Sequence, residues 1–275
     1  MIACSHKPNL REILEALYHA YNDPRLIQFD PIKYVYLFDE PHQREVIGLI
    51  ASSLAFGRVT QIFKAVDQLL ELIHYDPLGY IKRMGDRPEG KLLAFRYRFV
   101  TGQDLWHFFS AIGRIVAFYG SIGEFVRKTI KGDFFLGLDK VLGAFKGARY
   151  LMPTRLRASA CKRFFMYLRW MVRNDNIDLG LWSSISPSLL LVPLDTHVFQ
   201  IAQGLGLTSR KCPSFLAAVE ITEALRGFCP EDPVKYDWAL SHVGIIRNNF
   251  SLELYPEMPG ITDTIRGQWK AHEKV

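Results

Sequence analysis

Apolar residues recur every three to four positions along most of the chain, which is the spacing of one face of an α-helix. In residues 9–21, for example, Leu10, Ile13, Leu14 and Leu17 share one face. The same spacing predicts further helices over residues 41–54, 60–74, 77–85, 103–119, 121–131, 134–145, 155–173, 196–205, 213–228 and 233–248. The chain is therefore expected to fold as an all-α protein.

Two details at the ends of predicted elements refine this layout. Residues 34–38 are aromatic or aliphatic and could form a strand, but no second segment is an obvious pairing partner. Asp232 and Pro233 occupy the positions of an N-cap and a first-turn proline, which predicts that the last helix begins there.

The order of the helices suggests two helical subdomains that flank a cleft. A central block of residues 41–187 would pack as one unit. The N-terminal helix would join the helices from residue 188 onward, so that residues 1–40 and 188–275 make the second unit. The junction of the two is where a pocket is expected.

Composition indicates a folded protein with a net positive charge. Hydrophobic residues make up 49% of the 275 and charged residues 23%, which supplies a core and argues against a disordered chain. The formal net charge of +6 favours a polyanionic partner such as nucleic acid.

The spacing of the cysteines and the length of the apolar stretches indicate which cofactors and which cellular compartment to expect. No CxxC pair occurs, so we expect neither an iron–sulfur cluster nor a zinc site, and no other cofactor. The first seven residues lack the apolar core of a signal peptide, and no stretch reaches about 18 uncharged apolar residues. We therefore expect a cytoplasmic protein that does not engage a membrane.

A basic segment spans the predicted helix 155–173 and the residues before it. Its cations are Lys146, Arg149, Arg155, Arg157, Lys162, Arg163, Arg169 and Arg173, and no acidic residue interrupts them. At about 100° per residue, Arg155, Lys162, Arg169 and Arg173 fall within roughly 40° of one another. Such a stripe suits contacts with DNA phosphates, and a solvated helix face has the same pattern.

Asp195 directly follows the apolar run that ends at Pro193 and Leu194, and a helical pattern begins after it. An aspartate in this position is typical of an N-cap, which contributes about 1 kcal/mol. It is also a position at which a helix start would fix a catalytic carboxylate. His197 is expected to be a polar first-turn residue and not a metal ligand, because no cysteine or second histidine lies nearby.

Residues 192–199, Val-Pro-Leu-Asp-Thr-His-Val-Phe, and the later Leu205–Gly206 stop resemble the core signature of the helix–hairpin–helix DNA glycosylases. In that superfamily a [VI]-P-x-D-[TY]-x-[VI] stretch brings the catalytic aspartate to a helix start. The resemblance implies that Asp195 is that carboxylate and that the partner is duplex DNA with a damaged base.

Members that also cleave the strand carry a catalytic lysine upstream of the aspartate, and the resemblance points to Lys162. The interval from Lys162 to Asp195 is longer than in endonuclease-III-like enzymes. It is similar to that of the archaeal 8-oxoguanine DNA glycosylases, which also lack an iron–sulfur cluster. The neighbouring cations are expected to lower the pKa of Lys162; they are Arg155, Arg157, Arg163 and Arg169. Segments 55–58, 168–173 and 233–237 further resemble a family of uncharacterised bacterial proteins.

The chain departs from the superfamily at the hairpin. The usual L-P-G-[VI]-G is replaced by residues 147–153, in which Gly147 is the sole glycine. Hairpin glycines let backbone amides approach a DNA phosphate closely, and this chain has lost one of them. The side chains that we expect to contact DNA are Arg149, Arg155, Arg163, Arg169, Arg173 and His197.

These observations leave three functions open. The first, which the resemblance favours, is a DNA base-excision repair glycosylase that removes a damaged base such as an oxidised purine, with or without AP-lyase activity. The second is a nucleic-acid-binding helical protein on the same scaffold that catalyses nothing. The third is an all-α interaction module whose basic stripe meets an acidic protein. We expect a monomer.

Overall fold

The computed structural model describes residues 9–247 with the exception of 86, 88, 89, 149, 154, 155, 157 and 158, and it describes no side chains in 244–247. The predicted all-α class is confirmed, since one short hairpin is the only sheet in the described residues. The helices are α1 (Leu10–Tyr21), α2 (Pro41–Leu54), α3 (Val59–Leu72), α4 (Pro77–Arg83), α5 (Gly90–Ala94), α6 (Gly102–Tyr119), α7 (Ile122–Thr129), α8 (Phe134–Gly143), α9 (Lys162–Val172), α10 (Thr196–Gly204), α11 (Phe215–Arg226) and α12 (Asp237–Arg247).

Local capping chemistry explains where several helices begin. Asn9 and Glu12 form a capping box at the start of α1, with the Glu12 N–H donating to Asn9 Oδ1 at 3.1 Å. Thr101 and Asp104 form a second box at the start of α6. Gly120 ends α6 with a φ of 90°, a backbone conformation that favours glycine.

The strand considered for residues 34–38 is wrong, because this segment is part of a 3₁₀ helix, Pro31–Leu37. Asp30 caps it by accepting the Ile32 N–H at 2.9 Å, and Pro31 occupies its first turn. The real sheet is an antiparallel hairpin of β1 (Arg96–Tyr97) and β2 (Val100–Thr101). Strands of two residues carry no readable periodicity, which is why the sequence did not reveal them.

The long helix predicted over residues 155–173 is shorter in the structure. Cys161 has a left-handed backbone with a φ of 52°, so the chain turns there and α9 begins at Lys162. The four residues 154, 155, 157 and 158 lie outside the described part of the chain. Lys162 is therefore a first-turn residue and not one from the middle of a helix.

The start of the last helix also differs from the prediction. α12 begins at Asp237, and the residues before it form a turn. The Asp232 carboxylate does not cap this helix, because it lies 2.9 Å from Arg173 Nε in an ion pair. Asp232, which the local sequence pattern predicted to be an N-cap, thus pairs instead with Arg173, a residue distant in sequence.

Helix packing brings distant parts of the chain together around one core. α2 packs against the Pro31–Leu37 helix and α9, whereas α1 and α10 both pack against α12. The N-terminal helix α1 thus contacts α12, the last helix of the described residues. The buried apolar side chains nevertheless form one continuous cluster, and the division into 41–187 and 1–40 plus 188–275 stays a prediction.

No single helix in the described residues is long and apolar enough to cross a membrane. α6 and α7 together meet the length and composition for a span, but the two are bent by 75° relative to one another.

A buried charge network anchors α9 from within. Arg169 and Arg173 are each 3% exposed. Arg169 pairs with Asp178 at 3.3 Å and with Asp237, and Arg173 pairs with Asp178 and, at 2.9 Å, with Asp175. Together with the Arg173–Asp232 pair, these contacts join α9 to the start of α12, to the segment that follows α9 and to the turn that precedes α12.

Replacing Arg173 with methionine is expected to lower the free energy of unfolding by about 3–5 kcal/mol, because several buried carboxylates would lose their cation. Urea denaturation followed by circular dichroism measures the change. Arg127→Gln is the control, since Arg127 pairs with Glu124 on the surface, and its free energy of unfolding should stay near that of the wild type. Equal small effects for both variants would contradict a structural role for the network.

Candidate active site

Two residues that are far apart in sequence meet where α9 and α10 begin. The Lys162 Nζ atom lies 2.9 Å from Asp195 Oδ2. Lys162 is the first residue of α9, and Asp195 is the N-cap of α10. Their side chains are 35% and 19% exposed, so both are in contact with solvent. The proximity that the resemblance implied is present, and the catalytic roles remain predictions.

Asp195 uses its two carboxylate oxygens differently. Oδ1 accepts the Val198 N–H at 2.8 Å, which is the N-cap hydrogen bond, while Oδ2 faces the Lys162 amine. The capping and the paired roles therefore coexist in one side chain. Burial raises the pKa of Asp195, but Lys162 and the Val198 N–H more than offset it and leave this pKa below its usual range. The carboxylate is ionised at neutral pH.

The pKa of Lys162 contradicts the sequence-based expectation. Burial lowers this pKa, but the negative charges of Asp195, Asp30 and Asp237 outweigh burial and raise it. The three carboxylates therefore also outweigh the neighbouring arginines, and Arg169 is itself paired with Asp178 and Asp237. In the resting protein Lys162 is therefore an ammonium ion.

Asp237 is a second carboxylate in the electrostatic environment of this pair. Its Oδ2 accepts from Arg169 Nη1, whereas its Oδ1 is buried and has no hydrogen-bond partner among the described residues. Burial, opposed by Arg169, raises the pKa of Asp237 to about 6. An unpaired buried oxygen is costly and uncommon, and such groups cluster at functional sites.

Asp30 is a third acidic group whose charge acts on Lys162. Burial raises its pKa, and Arg169 and Lys162 oppose that rise. No motif in the sequence predicted a site role for Asp30 or Asp237. Asp237 nevertheless ends segment 233–237, which resembles the uncharacterised bacterial family, and Asp30 precedes a proline as helix caps often do.

Two of the predicted DNA contacts are not exposed. Arg169 and Arg173 are buried in ion pairs, so the prediction that they face phosphates is corrected. Lys162, Arg169 and Arg173 share one face of α9, but their carboxylate partners come from elsewhere in the chain. Arg149 and Arg155 lie outside the described residues.

Arg163 and His197 have different surroundings. The Arg163 guanidinium donates to the backbone carbonyls of Ser53 and Tyr150, the latter at 2.9 Å, and burial lowers its pKa to about 10. His197 is half-buried in the first turn of α10, where its charge, when present, lowers the pKa of Asp195. His197 thus lies beside the candidate pair.

Five large aromatic side chains that could by their chemistry stack on a base belong to the core. Each is at most 5% exposed: Trp170, Trp182, Trp238, Phe199 and Tyr236. Among the described residues, no cluster of three or more His, Cys, Asp or Glu side chains is arranged to hold a metal ion.

The two roles of Asp195 can be separated by substitution. Asp195→Asn keeps an oxygen that can accept the Val198 N–H, whereas Asp195→Ala removes the cap. We expect Asp195→Ala to be less stable than Asp195→Asn by about 1 kcal/mol, measured by chemical denaturation. Equal stabilities would show that the Val198 hydrogen bond does not stabilise the start of α10.

Burial of His242 predicts a specific acid sensitivity. Burial lowers the pKa of His242 to about 4, so the folded protein binds fewer protons than the unfolded chain between that value and about 6.5. Stability from this group is present above pH 6.5 and is lost as the pH falls. Between pH 7 and pH 4, the free energy of unfolding of His242→Phe should therefore fall by up to about 3 kcal/mol less than that of the wild type.

The measurement for His242 is the difference between the variant and wild-type unfolding free energies at pH 7 and at pH 4. Asp237 titrates in an overlapping range with the opposite sign, because its pKa is raised, but it is present in both proteins. Parallel stability curves would contradict the prediction.

Comparison with known proteins places the chain in one family. No curated protein and no solved structure shows a significant match to it. A family model described as "Protein of unknown function (DUF2400)" matches residues 30–246, a span that includes Lys162, Asp195 and both additional carboxylates. Since that match covers most of the sequence, the chain belongs to the DUF2400 family.

Proposed function

We propose that this protein is a DNA glycosylase that removes a damaged base from duplex DNA, with Lys162 as nucleophile and Asp195 as its carboxylate partner. The observation that carries the proposal is the 2.9 Å separation between Lys162 Nζ and Asp195 Oδ2, in side chains that solvent can still reach. The resemblance of residues 192–199 to the glycosylase signature and the positive net charge support it.

The chemistry proposed for this pair begins with a base that has been turned out of the duplex. The neutral amine attacks the anomeric carbon of the sugar, and the N-glycosidic bond breaks. The base leaves with the bonding electron pair and takes up a proton. The sugar ring then opens to a Schiff base on Lys162, which permits strand cleavage. Positive charge that develops on the sugar is stabilised by the nearby carboxylate.

Because Lys162 rests as an ammonium ion, a proton must leave it before attack. Asp195 is the acceptor within hydrogen-bond distance. Transfer makes Asp195 a neutral acid, which returns the proton to the departing base and becomes a carboxylate again when the sugar carries positive charge. The proposed step therefore balances within the pair and needs no other reactant.

A non-catalytic nucleic-acid-binding protein is the second candidate. The observation that favours it is the raised pKa of Lys162, which is what a purely structural ion pair would also show. In that case Lys162→Gln and Asp195→Asn would leave DNA affinity nearly unchanged, and no base would be released.

The test is borohydride trapping on duplexes that contain an oxidised purine, an oxidised pyrimidine or a preformed abasic site. Borohydride reduces a Schiff base to a stable amine, so the wild type should be trapped covalently on at least one duplex. Lys162→Gln should give no adduct. Asp195→Asn should release base about 100-fold more slowly or worse, because a charge that stabilises the transition state is lost.

Lys235→Gln is the matched control for this experiment. Lys235 forms a similar ion pair, with its Nζ 2.9 Å from Glu15, but it lies away from Asp195 in the contacts of the described residues. Its variant should be trapped as efficiently as the wild type. A wild type that binds these duplexes and yields no adduct and no free base would contradict the proposal and favour the second candidate.

A further inference from the structure

A cluster of aromatic and arginine side chains at the β1–β2 hairpin takes no part in the chemistry proposed above. We call Phe56, Arg58, Arg98, Phe99 and Tyr150 the hairpin platform. The Phe99 ring stacks on the Phe56 ring, with centroids 5.0 Å apart and planes inclined by 10°. It also contacts Tyr150, with centroids 5.1 Å apart. The Phe99 ring is thus held in one orientation.

The Phe99 ring is nevertheless 50% exposed to solvent. Its support is rigid, because Tyr97 in β1 is 7% exposed and its hydroxyl donates to the Phe56 carbonyl. A large aromatic ring that is fixed by its neighbours and still presents half its surface to water is typical of a binding surface.

The platform is also positively charged. The Arg98 guanidinium carbon lies 6.0 Å from the centroid of the Phe56 ring, and exposed Arg58 is the N-cap of α3. Within the part of the chain that the structure describes, neither Arg58 nor Arg98 forms an ion pair with a carboxylate. Aromatic rings flanked by unpaired arginines match the bases and phosphates of a nucleic acid.

The backbone is adapted to this arrangement of Arg98. Arg98 has a φ of 53° in the hairpin turn, a region that costs free energy for a residue other than glycine or asparagine. Gly57 has a φ of 95°, and a Cβ atom there would lie 2.5 Å from Arg98 Nη1. Glycine at position 57 therefore leaves the space in which the guanidinium approaches Phe56.

The platform is connected to the candidate active site through α9. Arg163 directly follows Lys162, and its guanidinium carbon lies 4.9 Å from the centroid of the Phe56 ring. The same guanidinium bonds to the carbonyl of Tyr150. The first turn of α9 thus carries the candidate nucleophile and also braces the platform.

We propose that the hairpin platform binds duplex DNA next to the damaged base, with Phe99 stacked on an unpaired base and Arg58 and Arg98 at the flanking phosphates. This inference rests on the proposed function and adds a DNA-binding surface to it. Stacking on the exposed face of Phe99 needs no particular base, so the platform would contribute affinity for unpaired DNA and no sequence preference.

The test measures binding of the full-length protein by fluorescence anisotropy. The probes are a labelled duplex with a tetrahydrofuran abasic analogue, which leaves the opposite base unpaired, and the fully paired duplex of the same sequence. Phe99→Ala should weaken binding of the abasic duplex about tenfold or more, given the energy of base–aromatic stacking, and weaken the paired duplex less. Phe99→Trp, which keeps an aromatic face, should retain binding.

Phe118→Ala is the matched control, because Phe118 is 80% exposed on α6 and lies outside the platform. Its affinity for both duplexes should equal that of the wild type. Arg98→Gln should reduce the dependence of log affinity on log salt concentration by about one, as loss of one phosphate contact does. Thermal melts of each variant check that the fold is retained.

The outcomes separate this inference from the proposed function. If Phe99→Ala binds the abasic duplex as tightly as Phe118→Ala while the wild type is trapped by borohydride, the platform is overturned and the glycosylase proposal stands. If Phe99→Ala loses affinity for the abasic duplex and Phe118→Ala does not, the platform is supported even when no base is released. A wild type that binds neither duplex would overturn both.

Discussion

The buried pairing of Arg169 and Arg173 with aspartates from other parts of the chain is the interaction on which the rest of the structure depends. α9 enters the core with two cations on one face, and leaving either unpaired inside the protein would cost several kcal/mol. Asp178 and Asp237 neutralise Arg169, and Asp237 begins α12. The network therefore fixes how α9 lies against α12.

The candidate site is a consequence of that anchoring. Lys162 lies on the same face of α9 as the two arginines, at its exposed end, and α10, which Asp195 caps, packs on α12. The Lys162 amine thus pairs with an aspartate from another part of the chain, as Arg169 and Arg173 do. The Lys162–Asp195 pair differs from the pairs of Arg169 and Arg173 in its exposure to solvent, since those two arginines are almost fully buried.

Local features were readable from the sequence, and distant partners were not. Helix periodicity and the N-cap at Asp195 depend on neighbours within four residues, and the structure has these elements almost where they were predicted. The basic face of α9 was also readable, but its aspartates are distant in sequence, so buried pairs were mistaken for an open stripe. The pairing of Lys162 with Asp195 came from the resemblance, because no periodicity connects them. Left-handed Cys161 and the unpaired oxygen of Asp237 gave no local signal.

The central claim is that Lys162 is a nucleophile and not only one half of an ion pair. Peptide mapping by tandem mass spectrometry of the wild-type protein, after borohydride reduction in the presence of damaged duplex DNA, tests it most directly. If Lys162 is the nucleophile, the peptide that contains Lys162 should carry a sugar adduct at the Lys162 side-chain nitrogen. An adduct on another lysine, such as Lys235, or unmodified Lys162 in protein that has released the base, would contradict it.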